Sequence, residues 1–91
     1  MTIKVKFFAF FREIFDAREK AMTFPAGATI RGMLEALADS PRRRDELFAG
    51  TALKPLVIVM KNGTAIGSLQ GLDTPLSEGD VIAVFPFITG G

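Results

Sequence analysis

A single apolar stripe of helical period, set among segments that alternate like strands, confines this 91-residue chain to the α+β class. Ile30, Met33, Leu34 and Leu37 fall at i, i+3, i+4 and i+7 and so share one face of a helix. Arg31, Glu35 and Asp39 lie elsewhere on the wheel. Thr29 can cap this helix, because its hydroxyl accepts a bond from an early helical N–H. Gly32 stands where Glu or Gln would complete a capping box. Ser40-Pro41 is expected to end the helix, since a residue before proline is pushed out of the α region. A second, shorter helix is expected over Arg42 to Phe48, closed by Gly50.

Around the helix the pattern has period two. Ile3, Val5, Phe7 and Ala9 alternate with Thr2, Lys4, Lys6 and Phe8, as in a half-buried strand. Phe10 to Asp16 reads as a helical turn or loop carrying Phe11, Ile14 and Phe15. Lys20 to Phe24 reads as a second strand that can pair with the first, ended by Pro25-Ala26-Gly27. Leu56-Val57-Ile58-Val59-Met60 is the strongest strand, rich in β-branched residues. Asn62-Gly63 is the pair favoured in a type I′ hairpin turn, with Ala65 to Leu69 as the return strand. Ser77 to Asp80 turns into a last strand, Val81 to Phe87. The order is strand, strand, helix, strand, strand, strand in a single domain spanning 1–91.

Composition removes most catalytic classes. The chain has no cysteine and no histidine. That excludes disulfides, thiol nucleophiles, Ser-His and Cys-His machinery, and nearly every zinc or iron site. The ten acids are scattered, which disfavours a carboxylate metal cluster. No GxxxxGK[ST] or GxGxxG occurs, so ATP is not expected to bind a phosphate loop here. A net charge of +1 and an isoelectric point near 8.1 do not fit a nucleic-acid binder. The Arg42-Arg43-Arg44 run reads as a solvated face neutralised by Asp45 and Glu46. Met22, Met33 and Met60 read as core filler. The apolar run Phe7 to Phe11 is too short for a secretory signal, and nothing approaches a membrane span, so a cytoplasmic location is expected.

What remains is the end of the chain. Thr89-Gly90-Gly91 follows the apolar stretch Val81 to Ile88 with no solubilising linker. Two residues without a Cβ form the thinnest and most pliable peptide, ending in a carboxylate ionised near neutrality. Such a tail, taken as 88–91, can be threaded into another protein's active site and modified at its last atom. Phe85, Phe87 and Ile88 cannot all face a core if they alternate, so aromatic surface is expected beside the tail, where exposed apolar patches mark partner sites. Phe8 and Phe10 lie opposite Ile3, Val5 and Phe7 by the same alternation and, with Phe11, either extend that surface or cover a small second core.

Taken together these residues resemble the small subunit of molybdopterin synthase, the MoaD-type member of the ubiquitin-like sulfur carriers that also include the thiazole-pathway carrier. The resemblance rests on Ile3-Lys4-Val5-Lys6-Phe7-Phe8-Ala9 with Arg12-Glu13, and on the helix after Ala28-Thr29. It rests further on Asn62-Gly63, on Leu76 to Ala83 with Gly79-Asp80, on Phe85-Pro86, and on Thr89-Gly90-Gly91. It implies a β-grasp fold: a mixed sheet of about five strands on one main helix, with a short second helix and with the first and last strands adjacent and parallel. It implies that an adenylyltransferase of the MoeB type uses ATP to activate the Gly91 carboxylate, which a sulfur source converts to a thiocarboxylate. The tail then enters the large synthase subunit, of the MoaE type, and donates sulfur to a pterin precursor of the molybdenum cofactor.

On that reading Gly91 carries the reacting atom, Gly90 and Thr89 thread, and Phe8, Phe85, Pro86, Phe87 and Ile88 meet partners. The chain then has no catalytic group, cofactor or metal of its own and works as the sulfur-donating subunit of an enzyme. Phe87 departs from the family, which often has a second proline there, and Lys61 precedes Asn62 where an apolar residue is common. Thiazole or tungsten-pterin synthesis would use a similar carrier. The rival reading is a ubiquitin-like modifier joined through Gly91 to lysines of target proteins; a passive binding module is the third.

Overall fold

The computed structural model describes residues 1–87. Alternation builds the first strand as expected. In β1 (Thr2–Phe7) every second residue is buried, namely Ile3, Val5 and Phe7. The strand ends one residue before Phe8 because Ala9 takes a positive φ of 53° and turns the chain into the one-turn helix α1 (Phe11–Ile14). Strand β2 (Glu19–Thr23) returns antiparallel, pairing Thr23 with Thr2 and Glu19 with Lys6.

Helix α2 (Ile30–Leu37) forms where its stripe lies, and Ile30, Met33, Leu34 and Leu37 are all buried. Thr29 caps it by accepting from the Gly32 N–H at 3.4 Å. Ser40-Pro41 does something other than end this helix. It starts α3 (Pro41–Leu47), with Ser40 Oγ accepting from the Arg43 N–H at 3.2 Å and proline at a first-turn position. Proline is suited to that place, where its missing N–H would have been unpaired anyway. The chain then makes a two-stranded ribbon, β3 (Phe48–Ala49) against β4 (Ala52–Leu53), too short to leave a periodic signal.

Strand β5 (Val57–Lys61) turns through Asn62 and Gly63, with φ of 50° and 85°, into β6 (Thr64–Ala65). Positive φ at both central residues is what a type I′ hairpin requires. The return strand is shorter than expected, because Ile66–Ser68 coils into a 3₁₀ turn that buries Ile66. A second 3₁₀ turn covers Gly71–Asp73, and β7 (Val81–Pro86) closes the fold.

The five-stranded sheet runs β2-β1-β7-β5-β6. Its central pair, β1 with β7, is parallel, while β5 pairs antiparallel with both β7 and β6. One face carries Ile3, Val5, Phe7, Val57, Val59, Ile82 and Val84 into a core shared with the stripe of α2. Phe11, Ile14 and Phe15 complete it from α1, with Phe15 stacked on Phe7 at 4.7 Å between ring centroids. This is the β-grasp architecture, with the main helix α2, the shorter α3 and the single turn α1 on a mixed sheet.

The arginine run is structural, but its partners differ from those expected. Arg43 binds Asp39 at 3.0 Å and the Ile14 carbonyl at 3.0 Å, with its guanidinium over the Phe15 ring. Arg44 pairs with Glu35 and lies over Phe48. Arg43 thus ties α3 to α1 and to the linker that precedes it, and Arg44 ties α3 to α2.

Candidate functional site

The site forms where the parallel pair of central strands runs out toward the end of the chain. The β1–β7 register places Phe7 beside Val84, and the Phe8 N–H donates to the Val84 carbonyl at 3.1 Å. Side chains alternate across a sheet, so Phe8 emerges on the face opposite the core. There its ring meets Phe85 edge to face, with centroids 6.1 Å apart and planes at 86°. Arg12 braces this corner. Its Nε donates to the Phe7 carbonyl at 3.0 Å, and its guanidinium carbon sits 5.6 Å from the Phe8 ring centroid.

The neighbouring strand extends the patch. Ile58 is opposite Phe85 and Met60 opposite Ala83 in the β5–β7 register. Phe8, Ala9, Met60, Ala83, Phe85 and Pro86 line a shallow, almost wholly apolar depression of about 450 Å³. Lys4 and Lys6 lie on the same outward face of β1, and Lys4 is paired with Glu19 at 3.3 Å. The result is an apolar centre with charged borders, the usual anatomy of a protein-binding surface.

Strand β7 is held to β5 to its very end. Val57 pairs with Pro86, and the Phe87 N–H donates to the Leu56 carbonyl at 2.8 Å. Phe87 itself is 52% exposed. The structure therefore brings together Phe8, Phe85 and Pro86 of the expected surface residues, while Phe87 lines a separate groove with Phe10 and Leu56. Ile88, Thr89, Gly90 and Gly91 lie outside the described residues.

Of the two alternatives open for Phe11, the structure takes the buried one: it is a core residue at 1% exposure. One expectation needs correcting. Met60 is half-buried on the outer face and lines the depression, whereas Met33 is the methionine that fills the core. Ile58 and Ala83 also belong to this face. Their signal was available in the alternation of β5, where Val57 and Val59 face the core and leave Ile58 and Met60 to point outward.

At the opposite end of β7 the turn Ser77–Asp80 is locked by a buried carboxylate. Asp80 accepts from Asn62 Nδ2 at 2.9 Å and from the Ser77 N–H at 2.7 Å, and Lys61 Nζ lies 3.3 Å away. Lys61 also donates to the Pro75 carbonyl at 2.7 Å, and Asn62 Oδ1 accepts from the Val81 N–H at 2.9 Å. Burial alone would raise the Asp80 carboxyl; the bonds from Asn62, Ser77 and Lys61 outweigh it and hold the group below its ordinary range. A depressed carboxylate stabilises the fold at pH above its unfolded value, and that contribution is lost as pH falls through the folded value. The difference in stability between the native chain and Asp80→Asn is therefore expected to be constant from neutrality down to about pH 4 and to shrink below it. The plateau difference is expected at about 1.5–3 kcal/mol, the worth of hydrogen bonds to a charged acceptor. Urea unfolding at a series of pH values measures both.

Among the described residues, no group of three or more His, Cys, Asp or Glu side chains could hold a metal ion. No described helix is long and apolar enough to cross a membrane. The arrangement offers an apolar sheet face centred on Phe8 and Phe85.

The β-grasp strand order and the family match over nearly the whole chain together place it in the ubiquitin-like sulfur-carrier superfamily. The chain belongs to the ThiS family, which it matches over residues 5–91. It is 34% identical to small archaeal modifier protein 3 of Haloferax volcanii, over 100% of both chains. It is 35% identical to the molybdopterin synthase sulfur carrier subunit of Escherichia coli, over 98% of this chain and 99% of that one. Among solved structures it superposes on small archaeal modifier protein 1 of Methanosarcina acetivorans with a TM-score of 0.83 at 28% identity, covering 99% and 96% of the two chains.

Proposed function

We propose that this chain is a ubiquitin-like modifier whose Gly91 carboxylate is activated by a separate adenylating enzyme and joined to lysine amines of target proteins. The observation that carries the reading is end-to-end similarity to a named modifier protein at 34% identity, reinforced by the superposition on a second modifier. The chemistry is simple to balance. A Gly91 carboxylate oxygen attacks the α-phosphorus of ATP and pyrophosphate leaves. A lysine amine then attacks the acyl carbon, AMP departs with the bonding pair, and the amine gives up a proton to leave an isopeptide. Gly90 and Gly91 offer no side chain to obstruct either attack.

The molybdopterin reading uses the same activated acyl group and differs only in the nucleophile. Sulfur at the sulfide level would expel AMP and leave a thiocarboxylate for a synthase large subunit. The 35% identity to a molybdopterin synthase sulfur carrier supports it as the second reading. Both need an activating partner and an acceptor partner, which the apolar face around Phe8 and Phe85 suits. Thr89, Gly90 and Gly91 serve as the threaded tail in either case, with Phe8, Phe85, Pro86, Phe87 and Ile88 as the partner contacts.

Mass spectrometry of the untagged protein from its native cell separates the two. Peptides branched at target lysines through Gly91 are the expected result. Free chain with one oxygen replaced by sulfur, and no branched peptides, would move the assignment to the sulfur carrier. Neither species in cells competent for both would sink the two readings together.

A further inference from the structure

Five large apolar side chains are conspicuously exposed among the described residues, and they are not spread evenly. Phe8 belongs to the sheet face. Phe10, Leu56 and Phe87, at 44%, 62% and 52% exposure, line a different groove. That groove, of about 480 Å³, lies on the other side of the Pro86 corner, between α1, α3 and the start of β5. Ala9 and Pro86 border both surfaces, so the last residues of β7 form the ridge between them. Its floor is firm: Phe11 and Val57 are buried, Phe10 packs on Phe11 at 4.6 Å, and Phe87 is bonded to Leu56. Glu46 and Lys54 sit on the lining, one charge of each sign, so an apolar and uncharged occupant fits best.

We propose that this groove is a second docking site, which seats an apolar side chain of the enzyme that activates Gly91. The inference rests on the Gly91 reading above and adds to it which surface selects the activating partner. The argument is one of reach. Four residues follow Phe87, and a fully extended chain spans at most about 3.3–3.6 Å per residue. The Gly91 carboxyl therefore lies no more than roughly 14 Å from Phe87, and the body of a catalyst working on it must cover the surface around that residue. A rim of three exposed apolar side chains left bare beneath such a body would forgo the burial that makes hot spots. The volume is in the usual range for a pocket that accepts a side chain or small ligand, about 300–1,000 Å³.

The test is ATP–pyrophosphate exchange by the cell's own activating enzyme, titrated with full-length native chain, Leu56→Ser, Phe10→Ser and Leu56→Met. Leu56 and Phe10 are exposed, and an unchanged urea midpoint for each variant certifies the fold. Burying one such side chain supports an effect of about 10- to 100-fold. The expected result is a KM for the carrier raised at least tenfold by each serine variant, with kcat little changed and Leu56→Met close to native. Native KM values for both serine variants, with the native chain active, would overturn the groove and leave the Gly91 reading intact. No exchange with the native chain would overturn both. If sedimentation shows the native chain alone to self-associate and Leu56→Ser to be monomeric, the groove belongs to a second copy and the proposal fails.

Discussion

Deleting Gly90 and Gly91, or extending the chain beyond Gly91 with a tag, is expected to abolish every covalent product at the C-terminus while leaving the unfolding midpoint where it was. The two halves of that result have separate causes. Among the described residues the core runs from Ile3 to Val84. The chemistry owes everything to the last residues of the chain. An added residue turns the Gly91 carboxylate into an amide, which has no anionic oxygen to attack a phosphorus. Deletion retains a carboxylate but withdraws it by up to about 7 Å, when a misplacement of about 1 Å can already cost about 100-fold. Pyrophosphate exchange and intact mass, read beside a thermal melt, check both halves. Normal conjugation by a tagged chain would count against the modifier and the carrier alike.

The largest stability effect is expected at Phe7. Its ring is 1% exposed and stacked on Phe15 between the sheet and α1. Phe7→Ala removes most of that ring and leaves a cavity that the rigid sheet cannot close, at a cost of roughly 3–5 kcal/mol. Against a total of about 5–15 kcal/mol for a domain of this size, that is a large share. The fall in Tm is expected to exceed about 10 °C. Its neighbour one residue on provides the contrast. Phe8→Ala lies on the outer face at 38% exposure, so it is expected to move the midpoint little and to weaken partner binding. Calorimetry of the pair of variants separates the two faces of a single strand.

That pair also shows how much of the fold is legible in the sequence. Ile3, Val5 and Phe7 against Lys4, Lys6 and Phe8 is a pattern only a half-buried strand satisfies, and both faces follow from it. The α2 stripe, the Thr29 cap and the Asn62-Gly63 turn were equally legible, because each is a rule about residues within a few positions of one another. The errors have one origin. Ala65 to Leu69 has strand-like composition, yet Ile66 reaches the core by coiling into a 3₁₀ turn. Ser40-Pro41 carries a helix boundary signal that stops and starts look alike in. Met60 reads as core from its apolar character alone, although the alternation of β5 with Val57 and Val59 turns it to the other face.

By itself, then, the sequence determined which residues alternate, where the main helix lies, that no thiol or imidazole chemistry is possible, and that the chain ends on a thin glycine stem. These are local or compositional facts, and short-range sterics and hydrophobic period enforce them. Only the tertiary structure decided that β1 and β7 lie side by side in parallel, bringing Phe8 to Phe85 across more than seventy residues of chain. It alone joined Phe10, Leu56 and Phe87 into one groove and assigned Arg43 and Arg44 to Asp39 and Glu35. Such contacts depend on how the sheet and helices share a single core, and that packing is settled by the whole chain at once.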